Sequence, residues 1–447
     1  MDRSKKRWAI LGTASAGLLL FAGTPHLFFS FAHYRPAALT SIAQASMFDS
    51  DEDDTCSDPA QTQPLMAMVT QGGQQNRTVA PPASRGVVEA PVGGDIAPSR
   101  AVWDPYPSLH SVAVDPETNQ VVMSDSNRGA IFFYDRAGGG ASSQVADPKT
   151  VVRGPATGMM FVAGIALDPA EHEVFAVNND IGDRMEVFPY GVEGNVKPKR
   201  VLSVPHGAWG VALNRTRDEV AVSIEHMNSV VVFRRQAKSA EAPLRVLRGT
   251  ATGLADPHGI VIDAANSEMF VANHGNWAPL TRAEEEAGGQ LQGGHFQLPS
   301  IAAYSAEANG DAKPKRTIQG SQTQLDWPMG LGLDATHHEI AVANYGNNSI
   351  LVFRTDGAGN VAPVRILRGN KTGIMGPMGV AIDTKNDELW VTNYRDHSAV
   401  VFARTADGNT APKRVIRNAP IGTPSVGFGN PGAVAFDTKR GEILVPN

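Results

Sequence analysis

Cysteine is almost absent. Cys56 is the only one in 447 residues, so no intrachain disulfide and no thiolate metal cluster can form. Basic residues are not gathered into a stripe, and the net charge is −6. A nucleic-acid partner is therefore not expected, because neutralising phosphates takes clustered Lys and Arg. The chain also has no GxSxG, Walker loop, HExxH or CxxC, so no sequence signature of a hydrolase nucleophile, a nucleotide site or a zinc protease is present. Charged residues make up only 19% and aromatic residues 7%.

Apolar residues are plentiful at 42%, and 45 glycines with 30 prolines are spread along the chain. That composition suits a large core interrupted by many turns rather than disorder throughout.

The N-terminus opens with Arg3, Lys5, Lys6 and Arg7, followed by an uncharged run from Trp8 to Gly23 that extends as far as Ala32. A basic start and then an apolar run is the pattern of an export signal, and it directs the downstream chain outward. Two outcomes stand: a signal cleaved near Ala43–Ala45, or a retained membrane anchor within residues 1–45. Residues 46–84 are acidic and rich in Gln, Pro and Gly without apolar periodicity, which predicts a solvated linker. The acidic run of residues 49–54 reads as part of that tether. The expected location is extracytoplasmic, periplasmic or secreted, with membrane contact through the N-terminal segment if it is retained.

From residue 85 onward a repeat dominates. The motif G-[VI]-A-[IL]-D ends at Asp115, Asp168, Asp263, Asp334, Asp383 and Asp437, with Asn214 in the third copy. Intervals are near 50 residues, except for one of 71 between Asp263 and Asp334. Four strand signals recur per copy, as in "GVAID", "LWVTN", "SILVF" and "PVRILRG". Alternating Val, Ile and Phe bounded by Gly, Asn and Asp predict four-stranded antiparallel blades. A unit of this size that cannot bury both faces alone predicts a ring. The last copy stops after its second strand, and residues 85–103 resemble strands three and four. The expectation is an all-β, seven-bladed β-propeller (residues 85–447) whose two chain ends complete one blade and remove the exposed edges.

The "WVTN" of residues 390–393, with the related "FVAN" and "AVAN", resembles YVTN-type propeller repeats. "PHGIVID" (Pro257–Asp263) is similar to NHL repeats. These families include lyases, lactonases and many scaffolds, so the resemblance implies the fold more than a chemistry.

Antiparallel order brings the start of strand one and the end of strand two to one face of the disc. The residues ahead of the strand-one glycine are His110, Ala163, Trp209, His258, Met329, Met378 and Gly432 in place of that residue in the last copy. The residues closing strand two are Asp125, Asn178, Ile224, Asn273, Asn344, Asn393 and Asn447. Asparagine at an equivalent place in blade after blade reads first as a turn device; its amide could also bind a ligand. Departures from the repeat say more. The third copy puts Glu225 and His226 in the loop where others have Asn, and carries His206 and Trp209 ahead of strand one. The fourth carries His258, His274 and Trp277. Its long interval comes from residues 277–299, a lid or docking element on the same face, in which residues 280–287 predict a short helix.

The candidate catalytic residues are His206, Glu225, His226 and His258, a set suited to acid–base or metal chemistry. The candidate ligand-binding residues are Trp209, Asn273, His274, Trp277, Asn344 and Asn393. Two functions are expected. One is an exported, tethered binding or scaffold module for a protein, glycan or cell-envelope component, engaged at the face bearing residues 277–299. The alternative is a metal-assisted lyase or lactonase at the channel mouth. The resemblance to propeller lactonases implies a divalent cation as its cofactor, and no full ligand set of those families can be matched here.

Overall fold

The structure is a computed structural model. It describes residues 106–140, 145–179, 182–275, 277–279 and 294–423, with 30–33, 100–101, 435–437, 439 and 442–445. The linker, Cys56, most of the expected signal segment and the expected helix at 280–287 lie outside the described residues. Among the described residues no helix is long and apolar enough to cross a membrane.

Six four-stranded antiparallel sheets succeed one another from Leu109 to Arg417. Each is a contiguous stretch of chain, and together they form a six-bladed β-propeller. The innermost strands are Leu109–Asp115, Val162–Asp168, Ala208–Asn214, Pro257–Asp263, Pro328–Asp334 and Pro377–Asp383. They line a central channel of about 390 Å³ walled by Val, Ala, Leu, Ile and Gly.

The motif residues have structural work to do. The terminal Asp is buried and accepts bonds from the turn after it: Asp115 from Glu117 and Thr118, Asp263 from Asn266, Asp383 from Asn386. Five blades start strand two with Glu and strand four with Arg, joined as Glu173–Arg200, Glu219–Arg245, Glu268–Arg316, Glu339–Arg365 and Glu388–Arg414. Bonds from Arg245, Arg316 and Arg365 hold Glu219, Glu268 and Glu339 below the usual carboxylate range. Two parallel N–H···O bonds lock the blade's edge strand in register. The first blade has Gln120 and Thr150 at these two places, so it lacks the clamp as a unit.

The expected seven-bladed ring is corrected to six, and the closure shows why. In blades two to six an inner-strand glycine abuts a carbonyl of the next blade, and blade one has Ser111 at that place. A Cβ on Gly164 would meet Trp209 O at 2.2 Å, on Gly210 His258 O at 2.4 Å, on Gly259 Met329 O at 2.3 Å and on Gly330 Met378 O at 2.6 Å. On Gly379 it would meet His110 O at 2.8 Å, so blade six packs directly on blade one. Three further contacts repeat at this seam. Thr392 Oγ1 donates to His110 O at 2.7 Å, Arg136 reaches Glu388 at 2.9 Å, and Gly140 bridges Val415. Trp390 lies fully buried with Leu109, Met123 and Phe132 in the core between the two blades.

The seventh motif copy lies in a separate sheet. Ala435–Asp437 pairs with Glu442–Val445, which pairs with Ser30–His33, and that strand with Arg100–Ala101. Its third strand thus comes from residues 30–33, within the segment expected to be signal or anchor, rather than from 85–103. These strands belong to a compact unit distinct from the one that holds the six blades.

Candidate functional site

Every inner strand carries a β-bulge near its start, between Leu109 and Val112 in blade one and between Pro257 and Ile260 in blade four, for example. Bulges re-aim side chains at rims of closed sheets. Here, with His258 packed against Trp209, they set His110 and Trp209 into the lining of the channel. Trp209 reaches across it and packs on the cluster holding Met329, Met378, Tyr345 and Tyr394 from blades five and six. Around it run His110 at 5.1 Å, Phe161 at 6.2 Å and His258 at 4.3 Å between ring centroids. The indole therefore floors a bowl of rings above the apolar channel.

Glu225 is the hub of the polar side of the bowl. Its carboxylate takes contacts from His226 Nε2 at 3.1 Å, His258 Nε2 at 3.3 Å and Asn179 Nδ2 at 2.9 Å. Burial alone pushes its pKa up, but those three partners outweigh burial and hold it well below the usual range. His258 is 3% exposed. Burial lowers its pKa, yet Glu225 on one nitrogen and Asp256 on the other outweigh burial and raise it, which favours the protonated ring. Its Nδ1 stands 2.9 Å from Asp256 O and 3.5 Å from Oδ1. His274 stacks on it with centroids 3.7 Å apart and a 27° tilt, and touches Asp256 Oδ2 at 3.2 Å. Burial and the charge of His258 push His274 down to about 4. His206 sits on Asp183 at 2.9 Å, its ring centroid 5.2 Å from that of His226.

His110 differs from these. Burial lowers its pKa to about 4, against the pull of its bond to Ala163 O. A carbonyl only accepts, so Nδ1 carries the hydrogen and donates to Ala163 O at 2.6 Å. Among the described residues the lone pair of Nε2 has no partner, although the residue is 2% exposed. Asn179 Oδ1, beside Glu225, is a second buried acceptor with no partner.

The structure thus brings His206, Glu225, His226, His258, Trp209 and His274 to one mouth. It uses Asn273, Asn344 and Asn393 elsewhere: all three are fully buried. Their Oδ1 atoms take the backbone N–H of Ala255, Asp326 and Met375, and their Nδ2 atoms bond Ser300, Ser349 and Ser398. These amides fasten the loop before each inner strand and have no atom free to meet a ligand. Trp277 begins a short strand, Trp277–Pro279, paired with Gly294–Phe296 at the base of the insertion; its side chain is outside the described set. Asp256, Trp327 and Asn179 do not stand out in the sequence as site residues, and neither does His110 beyond its place in the repeat. The "DPHG" and "WPMG" of residues 256–259 and 327–330, unlike the "GPMG" of 376–379, are the signal that marks two of them.

Asp256, His258 and His274 offer ligand atoms within 4.8 Å of one another. Their types suit a divalent ion. The two rings, however, are stacked at 27°, and both nitrogens of His258 are already engaged, Nε2 by Glu225 and Nδ1 by Asp256. As arranged, the trio fits a shared proton better than an ion.

No protein-family profile matches the chain, and no curated protein matches it. Among solved structures it is similar to a chain of a nidogen/laminin complex (15% identity, 69% of this chain and 94% of that one, TM-score 0.41). It is also similar to a functionally unknown protein from Desulfotomaculum acetoxidans (12%, 72% and 90%, TM-score 0.46). A third is Kuenenia stuttgartiensis hydrazine synthase (13%, 68% and 80%, TM-score 0.43).

Proposed function

We propose that the chain is an exported β-propeller binding module that takes a ligand at the channel mouth, above Trp209. The observation that carries this reading is His110 Nε2, a buried acceptor with no partner among the rings of Phe161, Trp209 and Tyr394. Leaving such an atom unpaired costs about 1–3 kcal/mol, and a ligand hydroxyl or N–H would recover it. Export rests on the basic start and apolar run of the N-terminus. A thermal-shift screen of polar small molecules tests the site. Compounds that raise the melting temperature of the wild type but not of His110→Phe support it. If every stabilising compound acts equally on both, the ligand binds elsewhere.

A second reading, a lyase or lactonase, is favoured by the Glu225–His258–Asp256 relay, in which a buried imidazole lies between two carboxylates as an acid–base pair requires. In its metal-assisted form it calls for a stoichiometric divalent ion in the purified protein that is lost in Glu225→Ala. Metal-free protein with an intact fold favours the binding module.

A further inference from the structure

We infer that Trp327 is a stacking platform for the ring of a neutral saccharide at the rim of the mouth. This deepens the binding-module reading and rests on that face being the working one.

Trp327 has φ +50° and is 46% exposed. A bulky aromatic residue in left-handed backbone is an outlier that persists where something other than folding requires it. The sister blades show what the backbone itself asks for. In three of them the residue at this place shares the left-handed backbone, Gly207 with φ +77° in blade three, Asp256 with φ +54° in blade four and Gly376 with φ +60° in blade six, whereas Ser108 and Phe161 of blades one and two do not. The one backbone bond Trp327 accepts, from Tyr345 N at 3.1 Å, uses its carbonyl, which any residue supplies. Nothing in the turn needs an indole.

Two further flat groups neighbour the ring. His274 lies 5.3 Å away with a 31° tilt, and Tyr345 lies 6.1 Å away at 17°. Beyond it the Arg395 guanidinium covers Tyr345 at 4.4 Å and donates to its hydroxyl at 3.1 Å. Charge along these groups is mixed. Asp256 and the exposed Asp326 stand at the Trp327 end, and the exposed Arg395 at the other. A cation over them meets Arg395, and an anion meets the two aspartates. A neutral polyhydroxyl ring offends neither. It lays its C–H face on the indole and offers hydroxyls that donate to carboxylates and accept from the guanidinium.

The test uses the full chain with cellotetraose, maltotetraose and chitotetraose, measured by calorimetry. The wild type should bind at least one. Trp327→Gly should weaken that binding tenfold or more while melting at the same or a higher temperature, since the repeat's own residue relieves the backbone. Trp327→Phe should keep part of the affinity. A lower melting temperature in Trp327→Gly makes the indole structural and overturns the proposal. So does unchanged affinity, or failure of all three sugars to bind. His110→Phe separates the two readings. Sugar binding lost in Trp327→Gly but kept in His110→Phe upholds the platform and removes the deeper mouth. The reverse upholds the mouth and removes the platform.

Discussion

His258 Nε2 lies 3.3 Å from Glu225 Oε2 although the two residues sit on neighbouring blades. The blade-three loop supplies the carboxylate and the blade-four bulge the imidazole, so the pair staples two blades where they meet the mouth. Stability from the depressed Glu225 is present above its ordinary value of 4.5 and is lost as pH falls through its folded value. That from the raised His258 is complete below 6.5 and disappears as pH rises through its folded value. Glu225→Gln should therefore lower the His258 pKa toward or below 6.5, measured by NMR titration of its ring protons. The variant should be destabilised by about 3 kcal/mol, the usual cost of stranding one member of a buried pair. An unchanged His258 pKa would mean that Asp256 alone holds the proton.

Acid should loosen the mouth from a different direction. His110 and His274 both titrate near 4 in the fold against 6.5 in the unfolded chain. Between those values the unfolded chain takes up protons that the folded one refuses, so stability falls as pH falls. Each residue contributes up to about 3 kcal/mol of that slope. Denaturation profiles of His110→Gln and His274→Gln should be flatter over pH 4 to 6.5 than the wild type. Equal slopes would place the acid sensitivity elsewhere.

Asp125 stands where other blades close strand two with Asn. Burial raises its pKa to about 6, so at neutral pH the fold carries a buried charge whose Oδ2 has no hydrogen-bond partner. Since the folded value lies above the ordinary 3.8, the cost grows as pH rises from 3.8 to 6. Asp125→Asn keeps the acceptor for Ser108 N and Asn127 N. It should stabilise by about 3 kcal/mol at pH 7 and by almost nothing near pH 3. A loss of stability at pH 7 would mean the charge is needed by Arg128.

Ring closure can be read from two changes. Gly379→Ala should cost about 1–3 kcal/mol, because the new Cβ meets His110 O at 2.8 Å. Removing residues 432–447 should leave the main calorimetric transition in place, since blade six already closes on blade one. Loss of that transition on truncation would restore a seven-bladed ring.

The insertion should be dispensable for folding. Asn273 pairs with Ser300 across 26 residues, 274–299, whereas Asn344 pairs with Ser349 across four, 345–348. Replacing 277–299 with one glycine leaves a four-residue connection of the sister kind. The melting temperature should fall by no more than a few degrees; collapse of the fold would show that the insertion holds the ring together.

The strands are legible because period-two apolar patterning and Gly/Asn turns are local signals, repeated copy after copy. Residues that break the repeat, such as Glu225 and His226, are visible for the same reason. Others are hidden. His110 looks like one more residue at the start of an inner strand, and only its buried environment lowers its pKa and leaves Nε2 without a partner among the described residues. Asp256 gives no sign of its role because one partner, His258, lies on the following strand and the other, His274, in the loop after the next strand.

By itself, then, the sequence determined an all-β chain of four-stranded units and which positions depart from the repeat. Tertiary structure alone decided how many units join the ring and which departures meet. A motif count registers inner strands without regard to their neighbours. Closure depends on where the accumulated rotation from blade to blade brings Gly379, and it brings it against the carbonyl of His110. That meeting leaves the seventh copy to pair with Ser30–His33 in a sheet of its own.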